Sequence, residues 1–170
     1  MVLRVSRLSV DIESADGRFP VVDQVGFELH RGKTLALVGE SGSGKSLTAL
    51  AIMRLLPAGA RVAAGETWLG TTNLLGRPAS AMRDIRGVRI GMIFQEPMTC
   101  LNPVMSIGQQ VAEPLRVHHR MSRRQAWRRA TEMLERVGLT PGGRCARRYP
   151  HELSGGMRQR AMIAMALICG

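Results

Sequence analysis

The stretch Gly39-Glu40-Ser41-Gly42-Ser43-Gly44-Lys45-Ser46 constrains this chain more than any other. It follows the pattern G-x-x-x-x-G-K-S of a phosphate-binding loop. Thr34 to Val38, just before it, is a short apolar run of the kind buried in a parallel sheet. Lys45 to Leu56 reads as a helix stopped by Pro57. A strand, a glycine loop and a helix in that order turn backbone N–H groups toward an anion at the helix N-terminus. Lys45 can reach the outer phosphates, and the Ser46 hydroxyl offers an oxygen to Mg²⁺. Leu47 follows directly and belongs to the same phosphate-facing stretch.

The flanking segments read as a mixed α/β chain. Leu8 to Ile12 alternates loosely and Val21 to Leu29 is strand-like, as is Val62 to Leu69. Pro78 to Arg86 reads as a short helix, and Val88 to Phe94 as a buried strand. Gln95 to Pro103 is a loop, and Ile107 to His118 is helical despite Pro114. Ser122 and Gln125 form a capping-box pattern. Ala126, Ala130, Met133, Leu134 and Val137 then mark one helical face, ended by Gly138. Thr140 to Pro150 reads as a turn-rich connection. Met157 to Cys169 is a helix apolar nearly all round, and is expected to be buried.

The net charge of +11 comes almost wholly from arginine, since Lys33 and Lys45 are the only lysines. The densely basic stretch Arg116 to Arg129 places Arg123, Arg124, Arg128 and Arg129 on the solvent side of an amphipathic helix, with Trp127 the lone ring. That favours a solvated face over a nucleic-acid patch. The apolar run Ala161 to Cys169 is far short of the ~20 residues that span a bilayer. The N-terminus lacks an apolar signal core, so the expectation is a cytoplasmic protein attached to a membrane through a partner. Cys100, Cys145 and Cys169 show no paired metal spacing, and His118-His119 has no completing ligand nearby. His151-Glu152 is not a zinc-protease motif, because Gly155 stands where the second histidine is needed.

A second motif, Leu153-Ser154-Gly155-Gly156-Met157-Arg158-Gln159-Arg160, lies 109 residues after Lys45, counted to Ser154. It resembles the signature sequence of ATP-binding cassette ATPases. Gln95, after the apolar run ending at Phe94, resembles the glutamine of that family's Q-loop. The stretch Gln95 to Val104 and Tyr149-Pro150-His151-Glu152 resemble the branch of importers for dipeptides, oligopeptides, glutathione and nickel. Cys100 stands where that branch usually has serine.

The resemblance implies a P-loop α/β fold with an N-terminal antiparallel β part and a helical insertion. Residues 1–95 would form the β part and loop core, 96–153 the insertion, and 154–170 a signature helix returning to the core. It implies an ATP-binding subunit that couples ATP binding and hydrolysis to import of a small solute, a di- or oligopeptide, with ATP and Mg²⁺ as cofactors. Gly39 to Leu47 would hold the phosphates, and Ser46 and Gln95 would serve Mg²⁺, with Gln95 also contacting the attacking water. Ser154, Gly155 and Gly156 would face a nucleotide held by a second such subunit in a head-to-tail dimer. Adenine in this family stacks on a ring upstream of the loop, and Phe19 is the candidate. The other implied partners are transmembrane permease subunits and, indirectly, a substrate-binding protein, at the cytoplasmic face of the membrane. The rival readings are a non-transport cassette ATPase acting on nucleic acid or ribosomes, and an inactive fragment.

A complete subunit of this type carries, after the signature helix, an apolar strand ending in aspartate and then a glutamate. No run of four apolar residues followed by aspartate occurs here; Val21-Val22-Asp23 comes nearest and precedes the loop. The expectation is therefore a C-terminally truncated chain that binds nucleotide without sustaining hydrolysis.

Overall fold

A computed structural model describes residues 1–15, 17–95 and 100–170. The chain divides into two compact units, Met1–Met82 and Arg83–Gly170.

The first unit is built on a four-stranded antiparallel sheet. Its strands are β1 (Leu3–Ser14), β2 (Gly17–Leu29), β3 (Ala60–Leu69) and β4 (Thr72–Asn73), in spatial order β2-β1-β3-β4. β1 is central, pairing from Leu3↔Leu29 to Ser14↔Gly17 on one side and from Leu3↔Leu69 to Ile12↔Ala60 on the other. The loose alternation of β1 has a local cause. The pairing shifts between Val5 and Leu8, where Arg7 adopts a φ of 46°. That irregularity changes the phase of the pleat, so Val5, Leu8 and Val10 are all buried although the first two are three residues apart.

Helix α1 (Lys45–Met53) packs on the sheet through Thr48, Ala51, Ile52 and Met53. It ends before Leu56 because Arg54 turns into the left-handed region at φ 53°. The Leu55 amide then donates back to Leu50 O at 2.8 Å, closing the last turn. Pro57 lies beyond a helix that has already stopped.

The second unit is helical. It holds α2 (Ile107–His118), α3 (Arg123–Arg136), α4 (Gly142–Arg147) and α5 (Gly155–Leu167). Both α2 and α3 begin with reciprocal capping boxes, Ser106 with Gln109 and Ser122 with Gln125. Pro114 is accommodated within α2. The apolar face expected of α3 is buried at Ala126, Ala130, Met133 and Leu134, in one core with Val111, Leu115, Leu139, Ala146, Ala161 and Ala164. Arg123, Arg124, Arg128 and Arg129 lie on the opposite, exposed face. No helix is long and apolar enough to cross a membrane among the described residues.

Five expectations need correction. Thr34–Val38 is not a strand: it is irregular and exposed, with Val38 at 92%. Val88–Phe94 is likewise not a strand, showing only an isolated bridge, Arg86 to Ile90. The physical reason is shared. A strand exists through hydrogen bonds to a neighbour, and among the described residues no strand pairs with either run. Pro78–Arg86 shortens to one 3₁₀ turn at Ala79–Met82. The α5 helix is buried on one face only, at Ala161, Met162 and Ala164, where it meets α2 and α3, and Leu167 is exposed. Conversely, the turn-rich connection contains α4. A distant residue supports its start, since Glu135 Oε1 accepts from the Gly142 amide at 3.1 Å.

Gly108 marks a tight point of the helical core. A Cβ there would sit 2.8 Å from the Trp127 ring and 2.8 Å from Ala146 Cβ. Gly108→Ala should therefore destabilise this unit by about 1–3 kcal/mol through overpacking. Chemical denaturation followed by circular dichroism measures it, and a change near zero would show that the contact is loose.

Candidate functional site

The loop at residues 39–46 lies wholly in the first unit, and its shape comes from glycines. Gly42 and Gly44 have φ of 83° and 82°, a region that side-chain-bearing residues seldom enter. Gly44 is also the N-cap of α1, and no side chain caps that helix. The helix has no acidic residue in its first turn. Its first N–H groups therefore point outward with the positive end of the helix dipole behind them.

Lys45 is held inside the loop. Its ammonium donates to Gly39 O at 2.7 Å, to Glu40 O, and to Ser43 Oγ at 3.0 Å. A Cβ on Gly39 would fall 2.7 Å from Ser43 Oγ and 3.8 Å from Lys45 Nζ. The bare Gly39 is what lets the loop close around the lysine. Ser46 is exposed at the mouth, while Leu47 is half-buried and continues the helix. The uncapped amides at the start of α1, a fixed cation and an exposed hydroxyl form a donor set that fits a phosphate chain. They add one hydroxyl oxygen for a divalent cation.

Gly44 also ties the loop to the sheet. A Cβ there would lie 2.7 Å from Val21 O and 2.9 Å from Val22 Cγ2, both on β2. The motif predicts a glycine at this position, but nothing local in the sequence announces that β2 is its neighbour. Phe19, on the same strand, is 49% exposed and is the register partner of Ile12 on β1.

The other sequence-derived residues lie in the second unit. Ser154 is the N-cap of α5, and its Oγ accepts from the Met157 amide at 3.4 Å. Gly155 and Gly156 open the helix, and a Cβ on either would meet nothing within 4 Å. Their glycine identity is thus not demanded by packing in this chain. Gln95 is exposed at the end of the irregular segment. Glu96, Pro97, Met98 and Thr99, part of the stretch read as importer-like, lie outside the described residues.

Beyond them, Gln110 is a residue that the sequence motifs do not single out. It is buried, and its amide donates to Asn102 O and Met105 O, both at 2.9 Å, while its Oε1 accepts from the Asn102 amide at 2.8 Å. A glutamine between Ile107 and Val111, both buried, was the available signal, because a buried amide must find such partners.

The family model described as ABC transporter matches residues 22–170, most of the chain. The chain belongs to the ABC transporter family. A protein of Brucella abortus (strain 2308) named as a peptide import ATP-binding protein is 56% identical over 155 residues, covering 87% of this chain and 46% of that protein. The glutathione import ATP-binding protein GsiA of Salmonella choleraesuis (strain SC-B67) is 49% identical over 174 residues, covering 99% of this chain and 28% of that protein. This chain therefore spans about half or less of the length of these relatives. Among solved structures, the ATP-binding cassette MJ0796, in a dimeric post-hydrolysis state bound to ADP and Pi, matches with a TM-score of 0.86 at 27% identity. That match covers 98% of this chain and 69% of the other. The fold is thus that of an ABC cassette, mixed α/β with an antiparallel sheet.

Two glycines with the same φ separate conformational cost from contact. Gly42→Ala should cost about 1–2 kcal/mol, the left-handed penalty alone, since nothing lies near its Cβ position. Gly44→Ala adds the collision with Val21 and Val22, and should cost more by an overpacking increment of about 1–3 kcal/mol. Urea titration of the two variants checks the ordering, and equal losses would show that β2 does not brace the loop.

Proposed function

We propose that this chain is the nucleotide-binding part of an ATP-driven importer subunit whose solute is a di- or oligopeptide. The observation that carries the reading is the loop of residues 39–46. It combines a caged Lys45 cation with the uncapped N-terminus of α1. The names of the Brucella and Salmonella relatives, both import ATP-binding proteins, support the importer class.

In this reading the amides of Gly39 to Leu47 bind the phosphates, and Lys45 exchanges loop carbonyls for phosphate oxygens. Ser46 and Gln95 hold Mg²⁺, which when bound neutralises phosphate charge. Gln95 also orients water and passes nucleotide state to the transmembrane subunits, which dock along Gln95 to the start of α2. Phe19 offers its exposed ring to adenine. Ser154, Gly155 and Gly156 close on the nucleotide of a second subunit arranged head to tail; the dimeric structural relative supports this arrangement. The subunit works at the cytoplasmic membrane face, served indirectly by a substrate-binding protein. Residues 1–95, 96–153 and 154–170 act as loop core, insertion and signature helix.

Titration with a fluorescent ATP analogue tests the loop. Lys45→Ala removes charge-assisted hydrogen bonds worth about 1.5–3 kcal/mol, so affinity should fall roughly tenfold or more. Equal affinity of the two forms would remove the assignment.

These 170 residues contain no run of four apolar residues followed by aspartate after the signature motif. We propose that the chain by itself binds nucleotide without turning it over, because losing one charge-stabilising group typically costs about 10²–10³ in rate. Phosphate release should stay at background. Steady turnover abolished by Lys45→Ala would mean that other carboxylates do this work.

A further inference from the structure

The corner between α2 and α3 carries a charge arrangement that its own fold does not explain. From Arg116 to Arg129 the chain has six arginines, two histidines and no acidic residue. Arg116, His119 and Arg120 are exposed at the end of α2. Arg123 and Arg124 are exposed in the first turn of α3, where the helix dipole disfavours cations and where no acid is present. Arg124 and Arg128 stand four residues apart, a like-charge pair on one face. The acids of α3, Glu132 and Glu135, come at the far end, the reverse of what the dipole favours. Among the described residues only Arg128 of this group has an ion pair, an exposed one with Glu132 at 3.7 Å. Folding gains little from these charges and works against some of them.

Their surroundings fit one kind of anion. Val117 is 65% exposed, an apolar side chain next to Arg116 and three residues before Arg120. Trp127, the one indole in the stretch, packs against Gly108 and the core and is half-buried, which is a poor platform for stacked bases. All the strong cations here are arginines, whose forked guanidinium pairs with phosphate oxygens on two bonds. A cationic patch with an exposed aliphatic side chain suits a lipid headgroup layer, where phosphates lie above hydrocarbon. We propose that the α2–α3 corner, through Arg116, Arg120, Arg123, Arg124 and Val117, docks directly on the anionic phospholipid surface of the membrane. The proposal rests on the transporter reading only in placing the chain beside a membrane.

Co-sedimentation with vesicles tests it, using phosphatidylcholine alone and phosphatidylcholine mixed with phosphatidylglycerol. Binding should require phosphatidylglycerol and weaken as salt rises. The variant Arg123→Gln with Arg124→Gln should weaken it by about 25-fold, from roughly fivefold per arginine near an anionic surface. Both positions are exposed and the change relieves repulsion at a helix start, so folding is preserved. Val117→Ser should weaken binding without altering its salt dependence. A charge-matched pair elsewhere, Arg31→Gln with Arg83→Gln, should leave it unchanged. Equal loss in the two double variants would reduce the effect to diffuse net charge and overturn the proposal. So would equal binding to both vesicle types. Binding of a DNA duplex through Arg123 and Arg124, with no vesicle binding, would assign the patch to nucleic acid instead. The ATP-analogue titration on the same samples reports the nucleotide reading separately.

Discussion

The seat of Gly44 on β2 governs the geometry of the first unit. At that residue a left-handed turn, the start of a helix and a close approach to the backbone of another strand coincide. Each demand alone restricts the side chain, and together they admit only a hydrogen atom. Because Gly44 is fixed against Val21 and Val22, α1 starts at a fixed point over the sheet. Lys45, one residue later, then has a fixed origin from which to reach Gly39, Glu40 and Ser43. Apart from the ring of Phe19 on β2, the antiparallel sheet offers the site support rather than chemistry. It is the surface against which the phosphate-binding loop is braced, so its packing bears directly on the site.

Signals that involve residues close in sequence are legible in the amino-acid order alone. The loop pattern, the capping box at Ser122 and Gln125, and the apolar stripe of α3 all reappear in place, because each is written in the spacing of residues within about two helical turns of one another. Signals that need a remote partner are not legible there. Thr34–Val38 has the composition of a buried strand, yet composition supplies no neighbour to pair with. The start of α4 depends on Glu135, seven residues upstream of Gly142, and so reads locally as a turn. The irregularity at Arg7 blurs the alternation of β1, since a strand that changes phase presents two overlapping patterns. For the site, motif and spacing name the residues of the loop but not the brace behind it. They also miss Gln110, whose partners Asn102 and Met105 lie outside its own helix.

Polar groups in the second unit divide into those the fold consumes and those it leaves outside. Gln110 is consumed: three hydrogen bonds join it to the loop before α2, and its burial is thereby tolerated. Arg158 and Arg160 reach back to the carbonyls of Pro150 and Gly138 and so pin the approach to α5. The arginines of the α2–α3 corner have no such use among the described residues. The same residue type thus serves as an internal clasp in one place and as an unspent surface charge in another, and what separates the two is the presence of a carbonyl within reach.

Gly155 and Gly156 carry a consequence for how this sequence can drift. Empty space surrounds the position of a Cβ on either residue. Packing therefore makes no objection to a methyl group there, and an alanine would leave the fold of these residues undisturbed. Constraint on these two positions comes from outside the packing of these residues. Gly44 is the opposite case, checked by the fold itself in every molecule made. A catalogue of harmful variants assembled from protein abundance would record Gly44 and miss the pair at the head of α5.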